Sequence, residues 1–140
     1  MSKNKHNLKA FTFIELSVCV LIIAVVTAIG VPLYFENLEE ARGARALENL
    51  NLIRSAEILY LVENSEYTAN VAALQTYTNF IMVDPEWIYN ITSTSINDFM
   101  ASATRTAVHP NYNGKIITID HLSNIIIDGT SVANGGTWPP

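Results

Sequence analysis

The sequence predicts an α+β protein in which one long N-terminal helix packs on a small antiparallel β-sheet of about four strands. Residues 11–35 form an apolar run with a single charged side chain, Glu15. After this run, apolar residues recur at helical spacing to about residue 62. The last third of the chain is rich in β-branched and aromatic residues separated by turn signals. The 140 residues leave room for one globular domain.

The first half of the predicted helix is long enough to cross a bilayer. No charged residue lies between Leu16 and Phe35, and about 20 apolar residues span the hydrocarbon core at a rise of roughly 1.5 Å per residue. Gly30 and Pro32 are the residues of this run that most disfavour a helix. We expect a kink or a locally loosened turn at Pro32.

The second half of the predicted helix is amphipathic, with one face turned to a core and the other to solvent. The predicted buried residues share helical spacing and are Leu38, Ala46, Leu50, Ile53, Ala56, Leu59 and Tyr60. The predicted exposed residues are charged: Glu36, Glu39, Glu40, Arg42, Arg45, Glu48, Arg54 and Glu57. Opposite charges three residues apart predict surface ion pairs: Glu39–Arg42, Arg45–Glu48 and Arg54–Glu57. We therefore expect a single helix from Phe11 to about Val62, roughly 75 Å long.

A connecting region follows the predicted helix. Residues 64–70 break the helical pattern, and residues 71–77 are expected to form a short helix with Asn70 as its N-cap. Asp84-Pro85 then marks a turn into extended chain.

The C-terminal third is expected to form an antiparallel meander that packs on the second half of the long helix. Four strands are predicted at residues 87–92, 98–106, 115–120 and 124–128. Asn113-Gly114 is a strong signal for a tight turn before the third strand. The residues after Gly129 are expected to form a loose tail.

The charged residues are divided unequally along the chain. The first ten residues carry Lys3, Lys5 and Lys9 and no acid, whereas the rest has five basic and thirteen acidic residues, a net charge of −8. Lysines just before an apolar run predict a cytoplasmic N-terminus. The acidic remainder disfavours attraction of nucleic-acid phosphate, so no specific nucleic-acid partner is predicted.

The position of Glu15 in an apolar run requires an explanation, because a charge at the centre of a membrane helix costs roughly 2.5–3.5 kcal/mol on insertion scales. Taken alone, it is compatible with a position among the lipid head groups. Its context adds a short basic leader, the small residue Ala10 and then Phe-Thr-Phe-Ile-Glu-Leu from Phe11. This pattern resembles the processing signal of class III prepilins, the precursors of type IV pilins and type II secretion pseudopilins.

The resemblance implies a cut between Ala10 and Phe11, N-methylation of Phe11, and a requirement for Glu15 in filament assembly. Where the family usually has Gly before the cut, this chain has Ala10. Pro32 stands where pilins often carry a proline, and we assign it an assembly role together with Gly30. The predicted organisation is thus a cleaved leader at residues 1–10, a transmembrane and filament-core helix at 11–35, and a globular pilin domain at 36–140.

The resemblance also implies partners and a location. The partners are further copies of the chain in a helical filament, a prepilin peptidase, an inner-membrane assembly platform, minor pilins, and membrane lipid before assembly. The subunit is expected to cross the inner membrane once, with its N-terminus in the cytoplasm, and then to enter an extracellular or periplasmic filament.

Three functions remain open at this point. The first is a structural subunit of a type IV pilus-like filament, and the second is a pseudopilin of a type II secretion system. The third is a membrane-tethered binding protein that does not polymerise, although this would leave Glu15 unexplained. Residues 27–30 could imitate the cleavage site of an ordinary secretory signal peptide, but Glu15 and the apolar residues up to Phe35 disfavour that interpretation.

The sequence contains no pattern that predicts catalysis or a cofactor. Cys19 is the only cysteine, so no intramolecular disulfide can form. His6, His109 and His121 share no metal-ligand spacing, and there is no glycine-rich phosphate loop or nucleophile elbow. We predict neither an enzyme nor a metal site.

One feature leaves calcium open as an alternative. Asp84-Pro85 followed by Trp87 resembles part of the calcium-binding region of major pseudopilins, but Glu86 interrupts the resemblance and the oxygen ligands are sparse. The aspartates at predicted turns are instead expected to cap backbone groups: Asp84, Asp98, Asp120 and Asp128.

Overall fold

A computed structural model of the chain describes residues 11–80, 82–106, 110–132 and 136–139. The chain divides into two compact units, Met1–Asn37 and Leu38–Pro140. Helix α1 extends from Phe13 to Asn64 and contributes residues to both units. The predicted long helix and the α+β class are confirmed, and the end of α1 lies two residues beyond the predicted Val62.

The second unit contains a short helix and a sheet. Helix α2 spans Val71–Leu74, and the Asn70 side chain accepts a hydrogen bond from the Ala72 N–H at 3.1 Å, as expected for its N-cap. The described strands are β1 (Trp87–Ser95), β2 (Asp98–Arg105), β3 (Ile116–Asp120), β4 (Ile125–Ile127) and β5 (Thr130–Ser131). They form one antiparallel sheet in the order β1-β2-β3-β4-β5.

The fifth strand was not predicted, because the residues after Gly129 were expected to form a loose tail. Ile127 pairs with Thr130 across a two-residue turn in which Asp128 has a φ of 46° and Gly129 a φ of 84°. Two positive φ angles are what a type I′ hairpin turn requires, and Asp-Gly supplies them at low cost. Asp128-Gly129 is the same kind of turn signal as Asn113-Gly114 and occurs two hairpins later in the sequence.

The core lies between α1 and one face of the sheet. Residues of β1, β2 and β3 point inward at alternate positions, as the two-residue period of a strand requires. From α1 the core takes Ala46, Leu50, Ile53 and Ala56, all fully buried. From the sheet it takes Trp87, Tyr89, Ile91, Phe99, Ala101, Ala103, Ile117, Ile119 and Ile127.

Several expectations for the amphipathic half of α1 are wrong. Leu59 is exposed rather than buried, whereas Glu39 and Glu57 lie inside the unit. Glu39 does pair with Arg42, at 3.1 Å. The guanidinium of Arg45 bonds to Asp84 and Glu86 instead of Glu48, because the chain leading into β1 brings two carboxylates within reach of it.

Candidate functional site

The N-terminal part of α1 is the candidate functional element of the chain. Every described residue from Phe11 to Asn37 is exposed. The helix is long and apolar enough to cross a membrane, and none of its most apolar window is buried within the chain. Among the described residues nothing covers these apolar side chains, and lipid or another molecule could bury them.

Glu15 takes part in a reciprocal N-terminal cap of α1. Its Oε2 accepts hydrogen bonds from the backbone N–H and from the hydroxyl of Thr12, both at 2.8 Å. The Glu15 N–H in turn donates to Thr12 Oγ1 at 3.3 Å. This is the geometry of a capping box, in which a Thr and a Glu three residues apart satisfy backbone donors that the first helical turn leaves free.

Thr12 was not predicted as a functional residue, although its signal is present in the sequence. Thr12-Phe13-Ile14-Glu15 has the Thr-x-x-Glu spacing of a capping box directly before an apolar run. The cap provides a local role for Glu15, and one carboxylate oxygen, Oε1, stays outside these bonds.

Two further hydroxyl groups of the apolar segment bond back to the helix. The hydroxyl of Ser17 donates to the Phe13 carbonyl at 2.9 Å, and that of Thr27 donates to the Ile23 carbonyl at 2.7 Å. Such bonds to the preceding turn satisfy a hydroxyl without water. Apart from the Glu15 cap, the surface of this segment is consequently suited to a hydrocarbon environment.

The remaining residues predicted for assembly occupy separate positions along α1. Phe11, 71% exposed, precedes the helix. Helix α1 continues through Gly30 and Pro32, so the loosened turn expected at Pro32 does not interrupt it. A Cβ added at Gly30 would meet no described atom within 4 Å. Ala10, the residue before the predicted cut, lies outside the described residues.

Within the second unit, a cluster of six charged residues ties α1 to the sheet. Its centre is Glu39, whose two oxygens lie 2.5 Å from Arg105 Nε and 3.1 Å from Arg105 Nη2. Both side chains are almost fully buried. Arg105 also donates to the Glu86 carbonyl at 2.8 Å and lies 5.5 Å from the centre of the Trp87 ring. The cluster consists of Glu39, Arg42, Arg45, Asp84, Glu86 and Arg105.

The charges of this cluster stabilise one another. Burial opposes the charge on Glu39, but hydrogen bonds from Arg105 and Arg42 outweigh this effect and lower the pKa of the carboxyl below its usual value. Burial likewise opposes the charge on Arg105, and the bond to Glu39 outweighs it, so the pKa of Arg105 is raised. Both groups remain ionised at neutral pH.

Trp138, near the C-terminal end of the described chain, packs against α1. Its indole N–H donates to the Glu39 carbonyl at 2.9 Å, and its ring centre lies 5.1 Å from that of Trp87. The ring occupies the space above Gly43, where an added Cβ would lie 1.9 Å from Trp138 Cδ1. Gly43 is thus required for this close approach and not for an unusual backbone angle.

Of the four turn aspartates, Asp84 and Asp120 cap backbone groups as expected, whereas Asp98 lies against the His121 ring and Asp128 pairs with Lys115. Asp120 Oδ1 accepts from the N–H groups of Leu122 and Asn124 at 2.9 and 2.8 Å, which holds the turn between β3 and β4. Asp84 accepts from the Glu86 N–H at 2.8 Å and pairs with Arg45. Over the described ranges, no three His, Cys, Asp or Glu residues are grouped closely enough to hold a metal ion.

Comparison with other proteins adds no family or relative. The chain matches no protein-family model and no curated protein.

Proposed function

We propose that the chain is a structural subunit of a type IV pilus-like filament and assembles through the N-terminal part of α1. The observation that carries the proposal is an apolar helix, exposed from Phe11 to Asn37, whose one acidic residue within the apolar run is Glu15. The residues around Glu15 resemble the class III prepilin signal. In this proposal, residues 1–10 are removed and residues 11–35 first lie in the inner membrane.

The physical role proposed for Glu15 is to favour the filament over the membrane. In lipid, its carboxylate has the Thr12 cap as its partner. In a filament, it can also meet the positive N-terminus of a neighbouring subunit in a medium of low dielectric constant. Loss of one member of such a pair typically costs about 3–5 kcal/mol, which is enough to fix the register of neighbouring helices.

A pseudopilin of a type II secretion system is the second candidate. The single cysteine, Cys19, lies in the apolar helix, so the globular unit contains no disulfide staple. Many pilins have such a staple in their C-terminal region, and its absence together with the compact size favours a pseudopilin. The pairing of Asp84 with Arg45 weighs against a pseudopilin-like calcium site at that loop.

The first experiment determines the N-terminus of the protein isolated from its native host by mass spectrometry. We expect a chain that begins at Phe11 and carries one N-methyl group. A chain that begins at Met1, or one cut near Gly30, would exclude the prepilin interpretation.

The second experiment replaces Glu15 by Leu and measures subunit in the membrane and filament in the sheared fraction. Membrane insertion should be unchanged or improved, because a charge leaves the lipid, whereas filament yield should fall sharply. Glu15→Asp should give an intermediate yield, since it keeps the charge with a shorter reach. Glu36→Leu is the matched control, because it removes an exposed acid just beyond the apolar run. Normal filament yield from Glu15→Leu would show that Glu15 is only a cap and interfacial residue.

A further inference from the structure

Glu57 is a buried acid that the ionic cluster does not use. It lies on α1 with 0% of its surface exposed. Its Oε2 accepts a hydrogen bond from the Thr68 N–H at 3.0 Å, and Oε1 has no partner among the described residues. A buried carboxylate with one donor is poorly compensated, because an ionised carboxylate can accept about four hydrogen bonds.

Thr68 belongs to the connecting segment Ser65–Asn70, which returns over the end of α1. The segment begins with Ser65 in the left-handed region, at a φ of 61°. Next to Thr68, the ring of Tyr67 lies 4.9 Å from that of Phe99 and 6.4 Å from that of His121. The Tyr67 ring thus packs on β2, and the hydrogen bond from Thr68 to Glu57 joins the same segment to α1.

No described charge neutralises Glu57 within this arrangement. Arg54 is one turn earlier on α1, yet no hydrogen bond or ion pair joins the two, and Arg54 Nε is buried without a partner among the described residues. Nearby acids are engaged elsewhere or exposed: Glu63 accepts from the Tyr77 hydroxyl at 2.5 Å, and Glu66 is exposed. The titratable and charged groups of the elements that meet here are Arg54, Tyr60, Glu63, Glu66, Tyr67, Tyr77, Asp98 and His121.

We propose that Glu57 is a proton-controlled latch: the Ser65–Asn70 segment stays closed over the buried carboxyl while that carboxyl is protonated, and ionisation of the buried group favours opening of the segment. The released carboxylate returns to water or to the guanidinium of Arg54. The latch is a property of the second unit and does not depend on the proposed filament function.

The chemistry of Glu57 fits a latch that works near neutral pH. Burial raises the pKa of Glu57 to about 7, and the bond from Thr68 only partly opposes this effect. When the segment opens, the carboxyl regains water and its pKa returns towards the ordinary value of 4.5. Opening then releases one proton, so its equilibrium constant should rise about tenfold per pH unit between about pH 5 and 7 and become constant above this range.

The test uses the full chain in detergent micelles or nanodiscs, labelled for NMR. Amide exchange of Thr68 is measured from about pH 5 to 8 in the wild type and in Glu57→Gln, which keeps an acceptor for Thr68 but cannot ionise. The ratio of the two rates removes the intrinsic pH dependence of exchange. We expect this ratio to rise about tenfold per pH unit up to about pH 7 and then to level off.

Glu66→Gln is the matched control, because it removes an exposed acid from the same segment. It should leave the pH dependence of Thr68 exchange unchanged. A ratio that does not vary with pH would overturn the latch. If Glu57→Gln fails to fold, the chemical shift of the Glu57 carboxyl carbon is followed against pH in the wild type. A titration midpoint near pH 7 supports the proposal, and a midpoint near pH 4.5 rejects it.

Discussion

Arg105 occupies a position of β2 that the alternation of the sheet assigns to the core. It lies opposite Trp87 in the β1–β2 register and shares the inward face with Ala103 and Ala101. An unpaired guanidinium there would be prohibitively costly, and Glu39 from α1 removes that cost with two short bonds. A buried ion pair adds little net stability over well-packed apolar residues, but removal of one partner leaves the other charge buried without compensation.

Replacement of Arg105 by Met should therefore lower the free energy of unfolding by about 3–5 kcal/mol, because Glu39 is left buried without its main partner. Urea or thermal unfolding of the detergent-solubilised chain measures this. Lys115→Met is the matched control: Lys115 pairs with Asp128 at the surface, and its loss should cost no more than about 1 kcal/mol. The double change Arg105→Met with Glu39→Leu should recover much of the loss, and equal effects of the two single cation changes would contradict this account.

The same pair predicts how acid affects the protein. Since the folded pKa of Glu39 is lower than its unfolded value of 4.5, its ion pair contributes fully above pH 4.5. That contribution is lost as the pH falls through the folded pKa. The difference in unfolding free energy between wild type and Glu39→Gln, followed from about pH 6 to pH 3, should shrink on acidification. If this difference instead increased on acidification, the ionised form of Glu39 would be destabilising the folded protein.

Among the secondary-structure elements, α1 differs in burial between its two parts. From Phe11 to Asn37 the described chain offers it no cover, whereas from Leu38 onward one face covers the sheet. Gly43 lies in the covered part. Because it has no side chain, the Trp138 ring can approach α1 and its indole N–H can donate to the Glu39 carbonyl. A residue from the far end of the chain thereby completes the helix–sheet contact.

Gly43→Ala should displace Trp138 and destabilise the second unit by about 1–3 kcal/mol, despite the higher helix propensity of Ala. Thermal unfolding, together with tryptophan fluorescence, would measure both effects. Gly30→Ala in the same helix is the matched control, because its added Cβ meets no described atom. If Gly43→Ala is as stable as the wild type, the close approach of Trp138 does not hold the helix in place.

In the molecule as a whole, every buried residue of the described chain belongs to the second unit. All residues of the core cluster lie between Ala46 and Ile127, within the second unit. The described residues of the first unit, from Phe11 to Asn37, contribute nothing to that cluster. We therefore expect the second unit to fold without the apolar segment.

A fragment that begins at Glu36 should accordingly be soluble, monomeric and folded, because it retains the ionic cluster and the whole core. Circular dichroism should show helix and strand, and a single cooperative unfolding transition should be seen. The full chain should require detergent. A fragment without cooperative unfolding would show that the apolar segment contributes to the core.

Much of this arrangement could be predicted from local pattern. The uncharged run from Leu16 to Phe35 and the helical spacing of Ala46, Leu50 and Ile53 determine a long helix with an apolar first half. The alternating strands and the Asn-Gly and Asp-Gly turns determine an antiparallel meander. These features depend on neighbours in sequence, and so they can be inferred without contacts.

The burial of individual charged residues on α1 depends on contacts with distant parts of the chain. Glu39 and Glu57 both fell on the face predicted to be exposed, and Arg54–Glu57 had the spacing of a surface pair. Their actual partners, Arg105 and the Thr68 N–H, are 66 and 11 residues away. Helical spacing reports which residues share a face, but the energy of a buried charge depends on groups that other elements bring to it.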